Sequence, residues 1–177
     1  MRIHPMKTSK QPCDKVNNLA HYVFTLRLLP LMKKTALTAA PTTVRIVMQS
    51  SEMHKLAPST TKFLSKEEIN TPGDGVQLYG RTKLGLIYLA RQLVKRHLAD
   101  LPPDRPILVM SVHPGTVDTD VQTQWTESYG VIGKALDVLT RKVGKSSEEG
   151  AEASLWAAVS TDIFQGNWKD YQVSTCK

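Results

Sequence analysis

Two unbroken apolar runs, VRIVMQS at 44–50 and ILVMSVHPG at 107–115, flank a long helical pattern at 76–98. That order admits few folds. Short β-branched runs without polar alternation suit strands covered on both faces, as parallel sheets require. Neighbouring parallel strands need a crossover, which a helix supplies, and such crossovers are right-handed. The chain is therefore expected to be α/β, with ligands bound beyond the carboxyl ends of its strands. Ser50, Ser51 and the 113–119 loop fall at those ends.

The remaining elements fit around this unit. A helix is expected from residue 16 to about 34, with Leu19, Val23, Leu26 and Leu29 as its stripe. Pro30 should kink it near its end, and 35–43 should connect it to the first strand. The polar stretch 51–75 carries Pro58, Pro72, Gly73 and Gly75. It is too long for an inert connection, so it is expected to line a site. Helix follows from about 77 to 98, with Ile87, Ala90 and Val94 facing protein. Further helices are expected at about 130–142 and 147–160, the latter opened by a Ser146–Glu149 capping box. The domain reading is an irregular lead-in at 1–15, one domain at 16–168 and a divergent tail at 169–177.

Composition narrows the classes. At 177 residues the chain suits one core. Its 2 cysteines, Cys13 and Cys176, form no C-x-x-C, and its 5 histidines form no H-E-x-x-H. This argues against a zinc site or a disulfide framework and suits a reducing, cytoplasmic setting. The net charge of +7 is spread along the chain with no aromatic interleaving, so nucleic acid is not an expected partner. Arg27 and Pro30 break the longest apolar stretch, so no membrane span is expected. The first fifteen residues are basic, without the apolar core of a secretory signal or the amphipathic pattern of a presequence.

The pattern Y-G-R-T-K places Tyr79 and Lys83 one helical turn apart. A free tyrosine, with a pKa near about 10, is a poor acid or base at neutral pH. An ammonium beside it favours the phenolate, and a phenol tuned in this way can exchange a proton with a carbonyl or alcohol oxygen. Composition alone yields roughly 0.4 such spacings, so the pair could equally be two neighbours on a helix face.

Four segments taken together resemble the short-chain dehydrogenase/reductase family, in particular its retinol-dehydrogenase-like and fungal reductase-like members. VNNLAHYVFTLRLLPLM is similar to the helix carrying the active-site asparagine, here Asn17. RIVMQSSEMH is similar to the strand ending in the catalytic serine, here Ser51 with Ser50 as the alternative. YGRTKL is the Tyr79/Lys83 motif, and VMSVHPGTVDTD is similar to the Pro-Gly segment beside the nicotinamide. The resemblance implies a partial Rossmann-type, doubly wound parallel sheet whose first β-α-β units are missing, and a chain truncated at both ends.

It also implies hydride transfer between NAD(P), by subgroup NADP, and a small-molecule carbonyl or alcohol. Tyr79 would be the acid/base, and Ser51 would hold the substrate oxygen. Lys83 would tune Tyr79 and grip the ribose. Asn17, through its backbone carbonyl at a helix irregularity, would hold a water reaching Lys83. Pro114, Gly115, Val117 and Thr119 would meet the carboxamide and phosphate. A homodimer through helices 17–34 and 77–98 is implied, with Leu93 on the outward face. Plainer roles exist for three positions: Ser51 as a strand end, Asn17 as a helix cap, Pro114-Gly115 as a turn. The family's T-G-x-x-x-G-x-G turn does not occur in this sequence, so the expected grip on a dinucleotide is weak. A non-catalytic remnant that keeps the dimer helices is the alternative reading.

Overall fold

The computed structural model describes residues 15–41, 43–73, 75–115, 146–167 and 169. The helix expected at about 130–142, together with Val117, Thr119 and almost all of the lead-in and tail, lies outside the described residues.

A π-helical turn, Lys15–Ala20, runs into α1, His21–Thr38. Strand β1 is Arg45–Gln49, followed by a 3₁₀ turn, Glu52–Leu56, and a one-turn helix α2, Lys66–Ile69. Helix α3, Gly75–His97, crosses over to strand β2, Leu108–Val112. Helices α4, Ser147–Val159, and α5, Asp162–Gln165, complete the described chain.

The two strands pair in parallel, with Arg45 opposite Leu108 and Gln49 opposite Val112. Among the described residues the sheet has these two strands alone. Alternation along each strand divides the core. Ile46, Met48, Ile107 and Val109 pack on one face against Leu29 and Ala36 of α1 and Leu86, Ala90 and Leu93 of α3. Leu108, Met110, Val47 and Val112 pack on the other face against Ala157 and Ile163. Both faces of β2 are thus covered, which is why its sequence is apolar without alternation.

Polar ties fix the layers. The Arg45 guanidinium donates to the Ala157 and Ser160 carbonyls at 3.1 and 2.8 Å. It places a cation at the carboxyl end of α4, where the helix dipole favours one. At the other end of α4, Ser146 and Glu149 form the expected capping box. Lys33 of α1 pairs with Asp100 beyond α3 at 2.7 Å.

Three expectations are corrected. Helix α1 does not end near 34: it continues past Pro30 to Thr38. Ala36 is buried in the core, and the Thr35 hydroxyl bonds back to the Leu31 carbonyl, so packing carries the helix beyond its proline. The stripe of α1 is also different. Leu26 and Leu29 face inward as expected, but Leu19 and Val23 are exposed, and Tyr22, Thr25, Met32 and Ala36 take the inner face instead. The segment is apolar nearly all round, so spacing alone did not choose a face. Leu93 is not on the outward face of α3: it is 0% exposed in the core.

Candidate active site

Tyr79 lies in the first turns of α3, and Lys83 follows one turn later. Lys83 Nζ sits 5.4 Å from the centre of the Tyr79 ring. It donates to the Gln49 carbonyl, the last residue of β1, at 3.0 Å. Burial pushes the Lys83 pKa below the usual lysine range, because desolvation disfavours the charged form. The ammonium is therefore held at the carboxyl edge of the sheet, beside the phenol.

The two serines after β1 have separate tasks. Ser50 is 4% exposed, and its hydroxyl donates to the Lys83 carbonyl at 2.8 Å. Its backbone N–H extends the sheet to the Val112 carbonyl. Ser51 is half-buried and caps the 3₁₀ turn, its Oγ accepting from the Met53 N–H at 3.2 Å. A serine oxygen that accepts still has its O–H to give. Of the two candidates, Ser51 is the one whose hydroxyl can serve a substrate oxygen, while Ser50 anchors the lysine's backbone.

Asn17 falls inside the π-turn, so an irregularity does occur where the resemblance implied one. Such turns recur at functional sites because they offset the carbonyl ladder. The Asn17 Nδ2–H group donates to Thr82 Oγ1 at 3.2 Å, and the Thr82 hydroxyl donates to the Tyr79 carbonyl at 2.8 Å. Asn17, Tyr79, Lys83, Ser50 and Ser51 are thus joined by hydrogen bonds or chain adjacency at one end of the sheet. The next asparagine, Asn18, packs on Gly85, where an added Cβ would come within 2.8 Å of its Oδ1.

Pro114 and Gly115 lie just beyond β2. Gly115 has φ 83°, a conformation that favours glycine, and its N–H donates to His113 Nδ1 at 3.0 Å. A cavity of about 430 Å³ opens there, lined by His113, Pro114 and Gly115 and by Glu149, Glu152 and Trp156 of α4. Val117 and Thr119 are outside the described residues.

The donor set decides how well a dinucleotide fits. An ammonium, a phenol and a serine hydroxyl at one edge suit ribose hydroxyls and a carbonyl oxygen. The carboxylates of Glu149 and Glu152 at the cavity do not suit a phosphate. The described residues fit the nicotinamide-ribose end, and none of them forms a glycine-rich pyrophosphate turn. Among the described residues there is no group of His, Cys, Asp and Glu able to hold a metal. None of their helices is long and apolar enough to cross a membrane.

Sequence reasoning missed the Gln49 carbonyl, the tie from Thr82 to Asn17, and the buried Arg81. The Thr82 tie had a signal, a polar residue inside the spacer of the motif one turn before Leu86 on the core side of α3, whereas Arg81, on the side of Gln92, had none.

The chain has relatives among proteins named as oxidoreductases and dehydrogenases. The chain is 37% identical over 154 residues to bli-4 of Neurospora crassa, a protein named as a mitochondrial oxidoreductase; the match takes in 86% of this chain and 37% of that protein. It is 26% identical to the short-chain dehydrogenase/reductase pkfC of Emericella nidulans, over 83% of this chain and 44% of the relative. To retinol dehydrogenase 11 of Mus musculus it is 30% identical, over 84% of this chain and 41% of the relative. The chain therefore spans less than half the length of these curated relatives. No family model matches it, and no solved structure gives a significant match.

Proposed function

We propose that this chain, which belongs to the short-chain dehydrogenase/reductase family, carries the acid–base half of an NAD(P)-dependent oxidoreductase acting on a small carbonyl compound or alcohol. The observation that carries the proposal is the seat of Lys83, held by the Gln49 carbonyl at 3.0 Å with its ammonium against the Tyr79 ring.

In reduction, the Tyr79 O–H gives its proton to the carbonyl oxygen, and in oxidation the phenolate takes it back. The Lys83 ammonium stabilises that phenolate and donates to a ribose hydroxyl. Ser51 donates to the substrate oxygen and keeps it beside the phenol. The Asn17 carbonyl, in its π-turn, holds a water that connects Lys83 to solvent. The backbone of Pro114, Gly115 and Val117 would meet the carboxamide, and Thr119, away from the Glu149 and Glu152 carboxylates in the sequence, would reach a cofactor phosphate. When bound, the dinucleotide supplies or accepts the hydride. NADP is our reading of its form, from the resemblance to retinol-dehydrogenase-like members. Residues 16–168 form one partial Rossmann-like domain in this reading.

Two further readings go with it. The apolar side chains exposed along the π-turn and α1, among them Leu19, Phe24 and Leu31, support a homodimer in which α1 meets its copy. The cytoplasmic setting rests on the cysteine pattern, whereas the name of the Neurospora relative places that protein in the mitochondrion.

The test is turnover by the purified chain at saturating NADPH with a panel of aldehydes and ketones. Slow turnover is expected, and Tyr79→Phe should lower it by about 10²–10⁴-fold with an unchanged circular dichroism spectrum. Equal turnover in the two would remove Tyr79 from the chemistry. A folded chain with no turnover would leave the non-catalytic remnant standing. Calorimetric titration should find weak dinucleotide binding, and low-micromolar affinity would show that another segment cradles the pyrophosphate.

A further inference from the structure

The 52–73 segment is held by the two residues that follow Tyr79. At Gly80 an added Cβ would lie 2.5 Å from the Met53 carbonyl oxygen and 3.0 Å from the Ala57 nitrogen, so the backbone of the 3₁₀ turn rests directly on α3. Next to it, Arg81 is 4% exposed, and its guanidinium donates to the Glu68 and Ile69 carbonyls at 3.2 and 2.6 Å. A buried guanidinium is costly unless its donors are met. Here its two Nη groups meet carbonyls at the end of the one-turn helix α2.

The segment is also organised within itself. The Ser65 hydroxyl oxygen caps α2 by accepting from the Glu68 N–H at 3.1 Å. The Glu68 carboxylate gathers the N–H groups of Leu64, Lys62 and Phe63. Those amides, Leu64 first, hold its carboxyl below the usual carboxylate range. Phe63 takes a left-handed φ of 57°, a conformation that side chains rarely adopt. Its ring then meets Tyr88 edge-on at 5.7 Å. A connection of this length would otherwise wander. Instead it is fixed at Gly80 and Arg81, the two residues that follow Tyr79 in the chain, and Ser51 leads into it.

We infer that Arg81 is a positioning residue: it seats the 52–73 segment as the substrate-facing wall beside Tyr79 and so sets how bulky a carbonyl compound can reach the phenol. The inference rests on the proposed role of Tyr79. Arg81 touches neither substrate nor reacting atoms; it acts through Glu68 and Ile69.

The test compares the full chain with Arg81→Gln and, as an independent release of the same segment, Glu68→Gln. Tyrosine nitration by tetranitromethane, resolved by peptide mass spectrometry, reads the wall without needing turnover. Nitration of Tyr79 relative to Tyr22, which lies on α1 away from the segment, should rise several-fold in both variants. General loosening would raise the two tyrosines together. Where turnover is measurable, KM for a bulky aryl ketone should change while kcat for a small aldehyde stays within about twofold. An unchanged Tyr79-to-Tyr22 ratio in folded Glu68→Gln overturns the inference, even if Arg81→Gln does not fold. A raised ratio in a chain without turnover supports the wall and counts against the oxidoreductase reading, so the two can fail separately.

Discussion

Helices α1 and α3 lie on the same face of the same sheet, yet they use their side chains in opposite ways. Helix α3 divides cleanly. Leu86, Ala90 and Leu93 enter the core, while Gln92, Lys95 and Arg96 face water. Helix α1 does not divide. Leu29 and Ala36 are buried, but Phe24 and Leu31 are 64% and 63% exposed. An amphipathic helix is satisfied by one sheet, whereas a helix that is apolar all round needs a second surface. The amphipathic helix holds the Tyr79–Lys83 pair of the proposed site, and the apolar one leaves Phe24 and Leu31 on a surface suited to a partner.

The widest break in this comparison comes from placing the same charge on each helix. Leu93→Glu buries a carboxylate with no partner at a fully enclosed site and should abolish the folded state, read as loss of a cooperative urea transition. Leu31→Glu should leave the transition in place, because its side chain already meets water, and should lower the sedimentation coefficient if copies associate through α1. A cooperative Leu93→Glu, or a Leu31→Glu that unfolds, would mean the two helices have been assigned the wrong roles.

The same contrast explains what the sequence could convey. Strands at 44–50 and 107–115 were readable because covered parallel strands leave an unbroken apolar run, and the structure trims each by only a few residues. The capping box at Ser146 was readable because its chemistry is local. The inner face of α1 was not, since Leu19 and Val23 fit a stripe as well as Tyr22 and Thr25 do, and only the position of the sheet chooses. Leu93 is hidden for a related reason: in the sequence the Tyr79 side of α3 runs through Ile87, Ala90 and Val94, and Leu93 lies beside that line. The partners of the site were hidden more deeply. Gln49 acts on Lys83 through its backbone carbonyl, which every residue possesses, so no side-chain pattern could announce it.

A finer contrast lies within α3 itself, between two glycines. At Gly80 the atom in the way is backbone, the Met53 carbonyl oxygen at 2.5 Å; at Gly85 it is the end of a side chain, Asn18 Oδ1 at 2.8 Å. Gly80→Ala must push the 3₁₀ turn off the helix, with an overpacking cost of about 1–3 kcal/mol. Gly85→Ala asks only that Asn18 turn, and it gains about 1 kcal/mol of helix propensity. Gly80→Ala should therefore be the less stable variant by urea denaturation. It should also lower turnover, because Ser51 leads into the displaced turn. Equal stability of the two would show that the 52–57 backbone yields freely, which would also weaken the case for a fixed wall beside Tyr79.

The smallest effect belongs to Lys83, where burial on α3 works against a charged amine. Burial lowers its pKa in the folded chain, while the unfolded chain keeps a value near about 10.4. Below the folded pKa the amine is charged in both states, and the cost of desolvating it is present in full. Between the folded and unfolded values the unfolded chain binds more protons, so stability rises with pH across that alkaline window. Lys83→Met keeps most of the aliphatic stem and removes the charge, at the loss of the bond to the Gln49 carbonyl. The variant should be at least as stable as the parent at neutral pH, and its advantage should shrink as pH climbs towards about 10.4. Urea midpoints measured in parallel from neutral to alkaline pH give the difference directly. A constant difference would mean that the ammonium keeps its water when the chain folds. The phenol of Tyr79 would then sit beside a screened charge too weak to tune it, and the site would reduce to two neighbours on a helix.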